Sequence, residues 1–159
     1  TVASFAASCA NKLRGQHSLA SAVTVFVSSN RFREDLPQYA NGQTRMLPMP
    51  TSDTIEITRA ALAVLKEIYR EGISYNKSGV ILGNITDASC IQQNLFDEVK
   101  NRPERMQLMK SIDALNHRFG LRKIHLAVEG EERQAWHARN EFRSGNYLSD
   151  LREILTIQI

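Results

Sequence analysis

The residue types that most often carry catalysis occur in this chain, but their spacing matches no catalytic or metal-binding pattern. The histidines are scattered, and no two of them fall in an HExxH or similar ligand frame; they are His17, His117, His125 and His137. Glu129, Glu131 and Glu132 have no further carboxylate or histidine in register, so we expect a solvated acidic patch rather than a metal site. The chain contains no GxSxG sequence and no glycine-rich phosphate loop. We therefore expect this chain to be non-catalytic by itself.

A different kind of chemistry is indicated by the pentapeptide QQNLF, residues 92–96. Leu95 and Phe96 are two large apolar side chains standing together in a largely polar run, which suits a peptide that docks into a pocket of another protein. In that interpretation Leu95 and Phe96 are the anchors and Gln92 is the orienting hydrogen-bonding group. The alternative is a short strand or loop whose Leu95 and Phe96 fold back onto their own domain, because so short a pattern often arises by chance.

Length and composition describe a globular protein of one ordinary domain, or of a small domain with an extension: 159 residues, 42% hydrophobic and 23% charged. No apolar run approaches the length of a membrane span. Cys9 and Cys90 show no ligand spacing, which favours a reduced, cytoplasmic protein without structural zinc, and Cys9 falls on the apolar side of a helix as a small core residue. The chain begins at Thr1 rather than Met, so we expect it to be part of a longer protein.

Charge is unevenly distributed along the chain. Residues 1–86 carry nine Lys or Arg against six Asp or Glu, a formal charge of +3, whereas residues 87–159 carry eleven of each. A mildly basic first part permits contact with nucleic acid without establishing it. Two of these cations, Lys12 and Arg14, end a predicted helix, where they complement the helix dipole.

Hydrophobic periodicity and turn signals predict the order helix, strand, strand, helix, strand over the first 86 residues. The expected elements are a helix over 1–14, a strand over 22–29, a loop over 31–42 that ends in the Asn41-Gly42 turn, a short edge strand over 43–47 closed by Pro48 and Pro50, a helix capped by Asp53 or alternatively by Ser52 and stopped by Gly72, and a strand over 78–85. A missing strand ahead of Thr1 would complete a β-α-β-β-α-β unit. We therefore predict an α+β fold, an antiparallel sheet with two helices on one face.

The second part of the chain has a different pattern. Pro103 fits the first position (N1) of a helix whose apolar stripe continues to Gly120, and residues 124–128 look extended. Residues 131–142 are polar apart from a few side chains that include Trp136. Residues 146–159 are rich in leucine and isoleucine. We expect a mixed α/β C-terminal extension here.

Five segments, in their order and spacing, match a known family. They are Ala10–Arg14, Tyr39–Thr51, Lys77–Gly83, Gln92–Asp97, and Leu108–Met109 with Asp113–Asn116. In these segments the chain resembles the C-terminal part of the UmuC-type enzymes, bacterial translesion polymerases of the Y family that act in SOS DNA repair and mutagenesis. The likeness covers nearly the whole chain but is looser over the last forty residues.

The resemblance implies a division into three parts. Residues 1–86 look like the little finger domain, whose open sheet face lies along DNA, and 87–104 look like a linker in which Gln92, Leu95 and Phe96 dock to the β sliding clamp. The family prefers Leu where this chain has Gln93. Residues 105–159 resemble the extension for which contact with the UmuD′ dimer or the RecA filament is expected. The palm carboxylates that hold Mg²⁺ in such polymerases lie outside this chain, so no cofactor is expected within it.

For a little finger domain, contact with DNA without sequence choice should use phosphates. The candidate residues are Arg31 and Arg33 in the strand-to-strand loop, Arg45 on the edge strand, and Lys77 and Ser78 at the start of the last strand. An ordinary solvated role is the alternative for each. Arg45 shares its strand parity with the core-facing Leu47, so it could point away from DNA.

Further alternatives stay open. Trp136 is either a partner-binding hot spot or a residue that packs the extension against itself. If the first strand is absent, the last strand has an unpaired edge, which we expect to pair with another chain. The whole chain could also be an interaction module with little DNA contact, or an unrelated α+β enzyme, which would need a pocket of convergent titratable groups.

Overall fold

The computed structural model describes residues 1–90, 101–120 and 122–130. The described elements, in chain order, are α1 (Val2–Gly15), β1 (Ser18–Ser29), β2 (Ala40–Thr51), α2 (Thr54–Ile68), β3 (Tyr75–Asp87) and α3 (Arg102–Phe119), with short 3₁₀ turns at Ala88–Cys90 and Ala127–Glu129. The predicted order of helices and strands is confirmed, and α3 begins inside the predicted linker 87–104.

The three strands form one antiparallel sheet in the order β2-β1-β3. On the central strand, Val23, Val25 and Val27 alternate toward one face and are almost fully buried, as expected for β-branched residues of period two. Helices α1 and α2 pack on each other and on that face. The core is formed by the apolar residues of these three elements, Val2, Ala6, Ala10, Leu13, Ala20, Val23, Val25, Val27, Ile57, Ala60, Ala61, Val64 and Ile68. The α+β prediction, two helices on one face of an antiparallel sheet, is confirmed.

Strand β2 is longer than its sequence predicted. The expected strand over 43–47, closed by prolines, is instead a strand of 12 residues that includes Asn41-Gly42, Pro48 and Pro50. The reason is a register shift, because the pairing with β1 jumps from Ala22–Met46 to Ala20–Thr51. Both prolines fall inside this shift at the outer strand, where a missing N–H costs no regular ladder bond. The prediction of an edge position for this strand is confirmed.

The start of α2 follows the capping chemistry expected of Asp53. Its Oδ1 accepts from the N–H of Ile55 at 2.7 Å and of Glu56 at 3.3 Å, which satisfies two otherwise unpaired donors of the first turn. The helix ends at Ile68, before the predicted stop. Gly72 has φ +80° in the turn that leads to β3.

Helix α3 docks on the helical layer through pairs of opposite charge. It begins at Arg102, one residue before the predicted start at Pro103, and it ends before Gly120 (φ +109°) as predicted. Arg105 Nε lies 2.7 Å from Asp53 Oδ2, an ion-pair contact without hydrogen-bond alignment, and Arg102 lies 3.3 Å from Glu56. Met109 lies one turn after Arg105 on the same helix, and its side chain is 2% exposed. One buried apolar side chain among ion pairs therefore holds this helix.

Two expectations for the segment after α3 are wrong. Residues 124–128 are not extended, because Ala127–Glu129 forms a 3₁₀ turn. Glu129 is not part of a solvated patch, since it is buried and its carboxylate accepts from Leu126 N–H at 3.0 Å and Arg122 Nη2 at 3.3 Å. These two donors close the turn and satisfy a carboxylate that burial would otherwise penalise. Glu131 and Glu132 lie outside the described residues.

Substitution of Asp53 tests this account of the junction. Asp53→Ala removes the cap of α2 and the carboxylate beside Arg105, so we expect the free energy of unfolding to fall by about 1–2 kcal/mol. Asp53→Asn keeps a capping oxygen without the charge, and it should cost less than Asp53→Ala in urea denaturation. An Ala variant as stable as the original chain would contradict the capping role.

Candidate nucleic-acid interface

The described helices leave the opposite face of the sheet uncovered, and this face is called the open face. Residues paired across antiparallel strands share a face, and the burial of Val23, Val25 and Val27 turns the alternate residues of β1 the other way. Thr24 pairs with Thr44 on this face, and their hydroxyls lie 2.7 Å apart. Met46 and Ile81 on the flanking strands are more than half exposed. The described helices therefore leave this surface available for a ligand.

The open face carries no carboxylate among the residues that pair with alternate positions 22 to 28 of β1. Those partners are Ala40, Gly42, Thr44 and Met46 of β2, and Lys77, Gly79, Ile81 and Gly83 of β3. Lys77 supplies the positive charge in this set. A polyanion that approaches these positions meets a cation and hydroxyls without like-charge repulsion, and the carboxylate of Asp87 lies at the far end of β3, opposite Ser18.

Two glycines keep the middle of this face flat. Phe26 pairs with Gly42 on one side and with Gly79 on the other. A Cβ added at Gly79 would lie 2.4 Å from the Phe26 ring, and one at Gly42 would lie 3.1 Å from the Phe26 Cβ. The ring therefore lies along the sheet over Gly79, in space that any larger residue would fill.

Of the predicted strand contacts, the structure places Lys77 on the open face and turns Arg45 and Ser78 away from it. Lys77 pairs with Ser28 and is exposed. Ser78 pairs with Val27, and Arg45 pairs with Val23, so both belong to the face covered by helices. Arg45 forms an ion pair with Glu67 of α2. Leu47, of the same parity, packs against the core, as its sequence predicted.

The loop between β1 and β2 presents the other two predicted cations. Arg31 and Arg33 are exposed, and the Arg33 guanidinium donates to both oxygens of Asp35 at 2.7 and 2.6 Å. This hydrogen bond lowers the pKa of the Asp35 carboxyl. The loop is ordered by Gln38, whose amide donates to three backbone carbonyls, those of Asn30, Arg33 and Leu36.

Phe32 is a surface residue that the sequence interpretation missed. It lies between Arg31 and Arg33 at the loop tip and is 87% exposed. Its signal in the sequence was an aromatic residue between two arginines, a pattern found where nucleotides stack on protein surfaces.

The predicted clamp motif Gln92, Leu95 and Phe96, and likewise Trp136, lie outside the described residues. The segments on both sides of the motif are described and contact the sheet-and-helix unit. Ala88 N–H donates to the His17 carbonyl at 2.9 Å, and α3 begins at Arg102 with its contacts to α2. In the described part of the chain β3 pairs with β1 alone, so the pairing of its other edge with another chain stays a prediction.

One described cavity brings charged groups together, and most of these groups already take part in ion pairs. This cavity of about 530 Å³ lies between α3, the beginning of β1 and the end of β2. Its charged lining includes Arg14, Asp53 and Asp113, which already take part in ion pairs. Within the described ranges, no three His, Cys, Asp or Glu residues come together as a metal site would require. In the same ranges, no helix has both the length and the apolar character needed to cross a membrane.

Phe26 and Gly79 provide a test of the open-face geometry. Gly79→Ala should lower the free energy of unfolding by about 1–3 kcal/mol, because the new methyl group would displace the Phe26 ring. The same change made in a Phe26→Ala background should cost less, and a urea denaturation cycle measures the difference. An equal cost in both backgrounds would show that the ring does not lie over Gly79.

Comparison with known proteins agrees with this architecture. Residues 1–95 match the impB/mucB/samB family C-terminal domain, and residues 106–157 match a domain of unknown function, DUF4113. The chain is 36% identical over 153 residues to ImpB of Salmonella typhimurium, covering 96% of this chain and 36% of that protein. It is 34% identical over 157 residues to UmuC of Salmonella typhimurium strain LT2, covering 99% of this chain and 37% of UmuC. The chain thus spans about a third of the length of these curated relatives, and it belongs to the impB/mucB/samB family.

Proposed function

We propose that this chain is the DNA-gripping and clamp-docking part of an error-prone translesion polymerase that acts in SOS mutagenesis in the cytoplasm. Family membership supports the general role. The observation that carries the DNA contact is the open sheet face, which has no carboxylate among the register partners described above. The polymerase active site and its Mg²⁺ would belong to residues outside this chain.

Contact with DNA would begin at the end of the sheet where the cations gather. Lys77 pairs with Ser28 on the open face, and the loop that carries Arg31 and Arg33 follows two residues later. Lys77 and Arg31 can neutralise phosphates of a duplex without choosing a sequence, whereas Arg33 would first have to release Asp35. Arg45 and Ser78, which face the helices, are not part of this proposal.

The rest of the face suits a sequence-independent contact. Thr24 and Thr44 engage each other's hydroxyls, and the Phe26 ring lies flat against the sheet. Met46 and Ile81 offer apolar contact and no hydrogen bonds to base edges. A polymerase part that moves along its template requires this combination of phosphate contacts and weak base discrimination.

A salt titration tests the DNA contact. Binding of a fluorescent primer-template by the full chain should weaken as salt rises, and Lys77→Ala should reduce the magnitude of the log-log slope by about 1, because one phosphate contact is lost. Lys66→Ala is the matched control, since Lys66 is an exposed lysine of α2 on the helical side. Equal effects of the two substitutions, or the absence of salt-dependent binding, would overturn the open-face assignment.

Docking to the β sliding clamp would use Gln92, Leu95 and Phe96, as the resemblance implies. Pocket-filling apolar anchors beside an orienting amide are typical of extended peptides that dock to another protein. The motif lies in sequence between the end of β3 and the start of α3, so clamp contact would be made close to the proposed DNA-binding unit.

Calorimetry with a purified clamp tests the motif. Binding of the full chain should be in the micromolar range, about −8 kcal/mol. Leu95→Ala/Phe96→Ala should weaken it by about 100-fold or more, because each buried anchor contributes roughly 1.5–3 kcal/mol. Gln107→Ala is the control and should bind like the original chain, since Gln107 is an exposed residue of α3 outside the motif. Unchanged binding by the double variant would remove the clamp assignment while leaving the DNA contact intact.

A second candidate is an interaction module with little DNA contact of its own. The observation that favours it is the low charge of the open face, where Lys77 is the one cation among the described register partners. In that case the extension, residues 105–159 including Trp136, would provide the main contacts, with UmuD′ or RecA as the expected partners. The salt titration separates the two candidates.

A further inference from the structure

One side of α3 carries large apolar residues that the described structure leaves exposed. Leu108, Leu115 and Phe119 are 48%, 38% and 59% exposed. Their spacing of seven and four residues places them on one side of a helix. Their sequence pattern predicts a buried stripe, but of the stripe's five residues only Met109 is fully buried, and Ile112 is half-buried.

This exposed stripe is distinct from the side of α3 that docks on the helical layer. The docked side carries Met109, Arg105 and Asp113, which contact α1 and α2. Successive residues of a helix are about 100° apart around its axis. Leu108 is therefore about 100° from Met109 on the docked side, and Leu115 is about 100° from Asn116. The helical layer therefore cannot cover the stripe while α3 keeps its docking contacts.

The described segment after α3 leaves this stripe exposed. The Asn116 side chain exchanges two hydrogen bonds with the backbone of Ile124, each 2.8 Å long. Asn116 lies about 100° around the helix from Leu115, and Ile124 lines the same cavity as Met109 and Asp113 of the docked side. Leu108, Leu115 and Phe119 therefore stay exposed together on one side of α3, unlike the single apolar residues scattered over ordinary protein surfaces.

We propose that residues 146–159 of the same chain cover this stripe. In that segment Leu148, Leu151 and Leu155 recur at spacings of three and four, which is the pattern of a helix with one apolar side. The apolar side of such a helix is the kind of surface that can bury an exposed apolar stripe.

The connection between them is long enough. Residues 131–145 separate Gly130, the last described residue, from this segment, and fifteen residues can span about 50 Å. Helix α3 has 18 residues and is about 27 Å long. The segment can therefore reach any part of the stripe without displacing α3 from the helical layer.

Disulfide trapping in the full chain tests this proposal. In a Cys9→Ala/Cys90→Ser background, Leu115→Cys on the stripe is combined in turn with Leu148→Cys, Leu151→Cys or Leu155→Cys. We expect at least one pair to form an intramolecular disulfide under mild oxidation, because such bonds require Cα atoms less than about 7 Å apart. His117→Cys, on the opposite side of α3, is the matched control and should trap none of them.

Amide hydrogen exchange gives an independent readout without new cysteines. Leu151→Gln/Leu155→Gln should accelerate exchange in residues 108–119, whereas Glu153→Gln should leave it unchanged. Disulfides that form only between two chains would show that a second copy covers the stripe, and this would overturn the proposal. Equal trapping by Leu115→Cys and His117→Cys, or no trapping together with unchanged exchange, would also overturn it. None of these outcomes depends on binding to DNA or to the clamp.

Discussion

The guanidinium of Arg14 joins three helices at one point, and the arrangement of the described structure depends on it. Its Nε and Nη2 donate to the two oxygens of Asp113 on α3 at 2.6 and 2.8 Å. Its Nη1 donates to the Ser52 carbonyl at 2.7 Å and to Thr54 Oγ1 at 2.8 Å, at the start of α2. The side chain is only 11% exposed. A charge so well shielded is tolerated because its fork of donors is satisfied by a carboxylate and two neutral acceptors.

This junction explains why the two faces of the sheet differ. The carboxylates of Asp53, Glu56 and Asp113 are all engaged on the helical side, where they fix α3. Arg45 is also on this side, paired with Glu67. The excess positive charge of residues 1–86 is therefore not spread evenly over the surface. Two of its cations, Arg14 and Arg45, are paired with carboxylates in the helical layer. Among the positions paired with residues 22 to 28 of β1, the open face keeps Lys77 among small, hydroxylated and apolar residues. Net charge by itself would have described neither face correctly.

The sequence predicted correctly the features that depend on residues close to each other along the chain, such as helix caps. Asp53 caps α2 through donors two and three residues away, and Gly120 ends α3 through its own backbone. The alternation of side chains along β2 was also informative. Because Leu47 is apolar and two residues from Arg45, it indicated that Arg45 could face the helices, and Arg45 does so. Arg14 was different. Its position at the end of α1 suggested only a contribution to the helix dipole, because nothing in the local sequence points to a carboxylate 99 residues away.

The features that the sequence did not predict depend on distant partners in the same way. The prolines of β2 looked like strand breakers, and they are accommodated because the pairing with β1 shifts there. Glu129 looked solvated, and it is buried because Arg122 and a backbone N–H supply its two donors. In each case the sequence shows the intrinsic preference of the residue, but it does not show the pairing or burial that the fold imposes on it. The reason is that burial and pairing are decided by the tertiary arrangement, which periodicity does not encode.

The fixed position of α3 has a consequence for the proposed clamp motif. The segment 91–100 is joined at one end to a turn whose Ala88 N–H bonds to the His17 carbonyl, and at the other to a helix whose Arg102 pairs with Glu56. Ten residues span at most about 35 Å, so a motif in this segment is held within that distance of two anchored points. A clamp bound there would remain close to the open sheet face, and its effective concentration at nearby DNA would be high. Without the Arg14–Asp113 contact the second anchor would be weakened, and the same motif would lie on a longer and looser tether. If the proposed clamp and DNA contacts exist, the junction of the three helices would set how closely they can be coupled.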